Sequence, residues 1–389
     1  MHTYLTHAHI VTPDHVLEDA ALLIEDGRIA AICPEACPKT DAGGAREIDL
    51  EGRLLLPGLI DLHCDALEKE IEPRPGVHFP LDFAVQNADR RNAMAGITTV
   101  FHALSFANAE LGVRNNAFAA EIACKVHALR DELLVDNRVH CRYEVTDPDA
   151  PALLINLLEQ DAIHLLSFMD HTPGQGQFKS EDAYRDYLAR TYKKSDAEIE
   201  QLLLDKRAAG VGAEKRMSLL AGRAHARGVQ VASHDDDTPE KAALVHGLGA
   251  TLSEFPINLE TARAARALGM ATIFGAPNIL RGKSQSGSMR ALDAVLEGVA
   301  DCLCADYAPA AMLPSLFKLP DQAGLSIAQA VRLASLNPAR AAGLHDRGAI
   351  APGLRADLIA VRLHEGLPRV EGVWLEGQGR LMSAGLAQA

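Results

Sequence analysis

Six side chains able to bind cations fall at the ends of short apolar runs: His63, Asp65, Glu144, His171, His234 and Asp306. His63 and Asp65 close the run that begins at Leu59, and residues two apart in a strand share a face. Glu144 follows Cys141-Arg142-Tyr143, His171 follows Ser167-Phe168-Met169-Asp170, His234 follows Ala232-Ser233, and Asp306 follows Cys304-Ala305. Imidazole mixed with carboxylate suits Zn, Mn, Fe or Ni. Six such ligands exceed the needs of a single tetrahedral ion, so the set reads as one or two divalent ions, zinc first among them. A carboxylate such as Glu144 can bridge two ions about 3.5–4 Å apart, and ions so placed activate water for hydrolysis. Asp306 is the expected general base. Asp235 and Asp236 follow His234 directly and are expected to orient it. The competing role, for at least one of Asp235–Asp237, is to cap a helix opening at Thr238-Pro239-Glu240.

Any one of these residues has an ordinary reading as a hydrogen-bonded or ion-paired strand end. The signal is their conjunction behind apolar runs. Most of the 16 histidines lack it. His2, His7, His9, His15, His345 and His364 fall in strand-like termini and read as surface residues. His127, His225 and His246 lie on helical stretches. His102, His140 and His164 read as structural.

A second group of residues suits anions. The stretch Ala276 to Ser288 carries Asn278, Arg281, Lys283, Ser284 and Ser286 among glycines, and Gly174-Gln175-Gly176 forms another Gly-rich loop. Glycines let backbone N–H groups approach an anion, while Arg and Lys add charge-assisted bonds. Lys69 and Arg74 add cations after the first of the runs. The bland alternatives are a solvated loop and, for Arg74, a salt bridge to Glu70 or Glu72.

These groups need elements that bring them together. Candidate strands are 59–63, 98–102, 138–145, 163–169, 229–234, 251–255, 271–274 and 302–305, alternating with Ala-rich helical stretches such as Phe118–Leu134 and Glu260–Leu268. That rhythm predicts an α/β fold, a (β/α)8 TIM-like barrel whose strand C-termini converge on one mouth. An open doubly wound sheet would call for a Gly-rich turn after the first strand, and none is present. The termini read as strands around turns such as Glu25-Asp26-Gly27 and are expected to meet in one small β-sandwich domain. The expected division is 1–55 and 346–389 for that domain and 56–345 for the barrel. A charged helical insertion is expected over Ser180 to His225.

Composition narrows the function. A net charge of −14 and 4% aromatic residues argue against nucleic-acid binding. No apolar run reaches the ~18–20 residues of a membrane span, and the chain does not open on a basic segment followed by an apolar one. Seven cysteines without C-x-x-C spacing read as reduced thiols of a cytoplasmic protein. The expected partner is a small phosphorylated metabolite, with a homo-oligomer possible.

The run Leu55-Leu56-Pro57-Gly58-Leu59-Ile60-Asp61-Leu62-His63, the split terminal domain, Asn337-Pro338-Ala339 and Gly353-Leu354-Arg355-Ala356-Asp357-Leu358 resemble the amidohydrolase superfamily over essentially the whole chain. Within it, Leu67-Glu68-Lys69 with Pro73 to Val77, the segments 167–178 and 232–236, and Gly275 to Gly287 are similar to the α-D-ribose 1-methylphosphonate 5-triphosphate diphosphatases of the carbon–phosphorus lyase pathway. The resemblance implies metal-dependent phosphoanhydride hydrolysis that releases pyrophosphate, in phosphonate catabolism. This chain departs from that pattern at Ala66, Glu70, Lys283 and Gln285. The rival expectation is hydrolysis of a C–N bond in a cyclic amide or aminated ring. Deaminases of the superfamily usually place a Glu soon after the fifth-strand His, where this chain has Asp235-Asp236-Asp237. A non-catalytic relative would have lost ligands, and all six positions are filled.

Overall fold

Asp26 and Gly27, at φ 48° and 79°, make the two-residue turn whose twist matches that of a β-hairpin. The computed structural model in which they are seen describes residues 2–34, 46–108, 115–170, 185, 195–284 and 288–387. The chain opens with β1 (His2–Val11), β2 (Val16–Glu25), β3 (Arg28–Cys33), β4 (Arg46–Asp49) and β5 (Leu54–Pro57). Eight strands follow: β6 (Leu59–Cys64), β7 (Ile97–Phe106), β8 (Asp136–Glu144), β9 (Leu165–Met169), β10 (Gln230–His234), β11 (Leu252–Glu254), β12 (Ala271–Gly275) and β13 (Cys302–Cys304). The chain then returns with β14 (Leu358–His364), β15 (Leu367–Leu375) and β16 (Gln378–Met382). The turn into β16 again uses a positive-φ pair, Glu376 and Gly377.

The first and last groups form one sheet in the order β16-β15-β14-β5-β1-β2-β3, with β4 beside β1. Register shifts between Leu5 and Ile10 break β1, so its first half pairs with β4 and its second with β5. The sheet wraps a core of Leu5, Ile10, Leu22, Ile48, Leu358 and Trp374.

Strands β6 to β13 pair in parallel, in chain order. The ring closes where Asp306 N–H donates to His63 O at 2.8 Å and Asp65 N–H donates to Asp306 O at 3.1 Å. The strands read as nearly continuous apolar runs because they are covered on both faces. Ile60, Leu62, Phe101, Leu165, Ala232, Leu252, Ile273 and Cys302 fill the interior. On the outer faces Cys141, Tyr143, Leu166, Phe168 and Val231 meet the surrounding helices. The expected (β/α)8 barrel with a terminal sheet is the fold observed.

Two expectations change. Helix Ala213–Ala226 buries Met217, Leu220, Ala221 and Ala224 between β9 and β10, so the C-terminal part of the supposed insertion is an ordinary barrel helix. Cys33 is disulfide-bonded, against the expectation of seven reduced thiols, while Cys64, Cys124, Cys141, Cys302 and Cys304 are free. No helix among the described residues is long and apolar enough to cross a membrane.

Candidate active site

Residues 138–145 read Arg-Val-His-Cys-Arg-Tyr-Glu-Val, a strict two-residue alternation. Val139, Cys141 and Tyr143 join the outer apolar layer. Arg138, His140, Arg142 and Glu144 therefore stack on the inner face of β8. The same period puts Ser167 above Leu165, His234 above Ala232 and Glu254 above Leu252. A register shift between Asp61 and Cys64 interrupts the alternation in β6. There the Asp61 carboxylate accepts the N–H groups of His63, at 3.1 Å, and Ala305, at 2.9 Å. Burial pushes that carboxyl up to about 7.

Glu254 lies at the centre of the interior polar layer and is fully buried. Its Oε2 accepts the Ser167 hydroxyl at 2.7 Å, and its Oε1 is 3.0 Å from His63 Nδ1. His140 Nε2 lies 3.6 Å from Oε2. His140 Nδ1 is 3.1 Å from Leu62 O, which fixes the proton on Nδ1 and points a nitrogen lone pair toward the carboxylate. Burial keeps His140 neutral, its pKa lowered to about 3. His63 is likewise depressed, first by burial and then by the charge of Arg142. A buried lone pair facing a carboxylate, with no hydrogen-bond partner for that nitrogen, fits a cation. His63, His140 and Glu254 offer ligand atoms within 4.8 Å of one another.

Beside this layer lies a cavity of about 240 Å³ lined by His63, Asp65, Arg142, His234, Asp235 and Asp306 together with Asn278, Arg281, Lys283 and Ser284. Phe255 packs edge-on against the rings of His63 and His234, with centroids 5.0 and 5.2 Å away. Asp306 sits at φ 53°, its backbone fastened on both sides to β6. Burial, and then the nearby Asp65, push its carboxyl up to about 7. His234 Nδ1 is 3.3 Å from Asp235 Oδ2.

Of the six expected ligands, His63, Asp65, His234 and Asp306 thus share one cavity. Glu144 is buried at the end of the same strand as Arg142, with its Oε1 accepting the Thr146 hydroxyl at 2.8 Å. His171, Gln175 and Ser286 lie outside the described residues. Asp235 stands beside His234. Asp236 does not: it accepts from Ser233 at 2.5 Å and Ser253 at 2.9 Å, tying β10 to β11. The helix cap is Thr238, accepting Lys241 N–H at 3.1 Å, and not one of the aspartates. Arg281, Lys283 and Ser284 reach the cavity rim. Asn278 lines the cavity but spends its amide on the loop, with Oδ1 accepting Ala291 N–H at 3.1 Å and Nδ2 reaching Met289 O at 3.4 Å. Lys69 and Arg74 are exposed and do not line the cavity. Glu70 pairs with Arg91 and Asn87, and Glu72 accepts Gly76 N–H at 2.7 Å. Neither carboxylate binds Arg74 among the described residues.

Three residues escaped the sequence reading: Arg142, His140 and Glu254. The alternation of 138–145 was the available signal for the first two, since it puts four polar side chains on one face of a strand buried on both. Glu254 carried a weaker one, a carboxylate closing an apolar strand as Glu144 does.

The amidohydrolase family model matches residues 54–380. The α-D-ribose 1-methylphosphonate 5-triphosphate diphosphatase of Escherichia coli (strain K12) is 34% identical over 367 residues, covering 92% of this chain and 95% of its own. Adenine deaminase 2 of Desulfotalea psychrophila is 25% identical over 373 residues, 92% of this chain and 53% of its own. Among solved structures, an amidohydrolase superposes with TM-score 0.64 at 17% identity over 99% of this chain and all of its own. The dihydropyrimidinase of Brevibacillus agri does so with TM-score 0.61 at 14% identity over 98% of this chain and 95% of its own. The barrel, its terminal sheet and the match over most of the sequence agree: the chain belongs to the amidohydrolase family.

Proposed function

We propose that this hydrolase cleaves a phosphoanhydride bond in the triphosphate of a ribosyl phosphonate and releases pyrophosphate. One observation carries the reading: a single cavity is lined both by imidazoles and carboxylates and by Arg281, Lys283 and Ser284. The first group suits divalent cations, and the second suits phosphoryl oxygens. The Escherichia coli relative, alike over nearly its whole length, supports the same substrate class.

His63, Asp65, Glu144, His171, His234 and Asp306 would hold one or two divalent ions, zinc first, with Mn, Fe or Ni as alternatives; His140 and Glu254 supply further donors beneath them. Such ions, when bound, lower the pKa of water toward ~7 and neutralise phosphoryl oxygens. The chain's own part is positional. Glu254 holds the His63 ring by its Nδ1, so that Nε2 is the nitrogen left for the cavity. Asp306, fixed by its backbone to both ends of the β6 turn, takes the proton of the attacking water. Arg281 is steadied by Tyr307, 3.1 Å from its hydroxyl, and with Lys283 meets the negative charge of the polyphosphate. The reading places the enzyme in the cytoplasm, acting on a small phosphorylated metabolite.

The second reading is hydrolysis of a C–N bond, favoured by the likeness over 92% of this chain to 53% of an adenine deaminase. Asp235-Asp236-Asp237 after His234 weighs against it. The deciding assay offers the metal-reconstituted protein nucleotide-like triphosphates, hydantoins, dihydropyrimidines and aminopurines in parallel. Pyrophosphate release from the triphosphates alone supports the proposal; ammonia or ring-opened product overturns it.

A further inference from the structure

Three arginines are buried among the described residues: Arg53, Arg142 and Arg347. Two of them are saturated. Arg53 donates to Glu371, Glu51 and the carbonyl of Leu50. Arg347 donates to Asp136, Asp346 and Thr99. Arg142 is 8% exposed, and its Nε is buried without a hydrogen-bond partner. Its guanidinium makes no ion pair among the described residues. It lines the cavity with Asp65, Asp306 and His234, and its charge is felt at both Asp306 and His63.

A buried guanidinium without a partner is costly, and folded chains retain one where something else completes it. The inner face of β8 leaves it no other direction. His140 lies below it and Glu144 above, while the outer face belongs to Tyr143 and the helix layer. The guanidinium is a planar fork that fits two oxygens of one phosphoryl group at once. The cations at Arg281 and Lys283 line the same cavity but are exposed.

We propose that Arg142 anchors a phosphoryl group of the substrate from inside the barrel, forming a deep anion subsite that complements the rim at Arg281–Lys283. The inference rests on the phosphoanhydride reading. It adds a polarity to it: the polyphosphate enters end-on, one phosphoryl group on the floor and another at the rim.

The test uses the full-length protein loaded with divalent metal and inorganic pyrophosphate as the probe. Pyrophosphate binding is followed by calorimetry and by the shift in Tm, for the wild type and for Arg142→Lys and Arg142→Gln. Both variants should lose pyrophosphate affinity by about tenfold or more, the lysine retaining charge without the fork. Both should lose the pyrophosphate-induced Tm shift while keeping a ligand-free Tm at or above that of the wild type. A merely structural arginine predicts the reverse, a lower ligand-free Tm with pyrophosphate affinity intact, and that result overturns the proposal. A wild type that binds pyrophosphate through Arg142 but turns over no triphosphate leaves the subsite standing and removes the phosphoanhydride reading. A wild type that binds no pyrophosphate removes both.

Discussion

Glu254 Oε1 lies 3.0 Å from His63 Nδ1 inside the barrel, and this pairing decides which nitrogen of His63 faces the cavity. A carboxylate that accepts from Nδ1–H holds the ring in one tautomer and one orientation. Glu254→Gln keeps the size of the side chain but replaces an acceptor with a group that can also donate. Metal affinity should fall about 10- to 100-fold, read by metal content after dialysis against a weak chelator, with circular dichroism unchanged. Undiminished metal content would remove Glu254 from the centre.

Asp306→Asn should separate binding from turnover. The amide preserves the shape between β13 and β6 but cannot take a proton. Turnover is expected to drop about 10²- to 10⁴-fold, while pyrophosphate still shifts the Tm. Normal turnover would show that another group acts as base.

His102, His164 and Asp136 lose their contributions to stability in acid, over two ranges of pH. Burial lowers His102 to about 4, and its Nε2 lies 2.8 Å from Asn137 Oδ1. The unfolded chain takes up this proton near pH ~6.5, so the stability that neutral His102 contributes is lost as pH falls from there to about 4. His164, depressed to about 3, mainly by burial, works in the same direction. Asp136 covers the lower range. Despite its burial, Arg138, Arg130 and Arg347 hold its carboxyl well below the usual range. Its contribution is present above the ordinary carboxylate value and disappears as pH falls through the folded one. Asp61 and Asp306, raised to about 7, act in the opposite direction, so the comparison is between variants. From pH 7.5 through 5.5 to 4 the urea midpoint of His102→Gln should change less in the destabilising direction than that of the wild type. An equal pH dependence in the two proteins contradicts the assignment.

Gly58 belongs to the Leu-Pro-Gly-Leu run that leads into β6. A Cβ there would stand 2.7 Å from Thr98 Cβ and closer still to its Oγ1 and Cγ2. Thr98 is itself buried at the base of β7, so the strand cannot retreat. Gly58→Ala should cost about 1–3 kcal/mol, read by chemical denaturation. Adding Thr98→Ala should recover part of the loss; a double variant no better than the single would place the strain elsewhere.

The barrel was legible because eight apolar runs alternate with helical stretches and five of them end on a cation-binding residue, and β-strand alternation turns those endings inward together. The hairpins were legible from Asp26-Gly27 and Glu376-Gly377, whose residue types tolerate positive φ. What escaped was whatever depends on tertiary company. His140 looks like any strand histidine until Glu254, more than a hundred residues later, is brought to 3.6 Å. Asp236 looked like support for His234, yet the serines one layer outside it, Ser233 and Ser253, claim both its oxygens. Lys69 and Arg74 follow the right strand but face solvent. Spacing alone cannot say which side of a helix or turn the cavity lies on.

The terminal sheet also has a timetable. β5 pairs with β14, Leu54 opposite Val361, across the whole intervening barrel. At about 5–20 residues per second of synthesis, β5 waits roughly 15–60 s for that partner. Until then the nascent chain carries an open β-edge, the kind that recruits neighbouring chains. The last strands made are therefore the lock of the molecule, and a chain that stalls on the ribosome before β14 has a finished cavity wall and an unguarded flank.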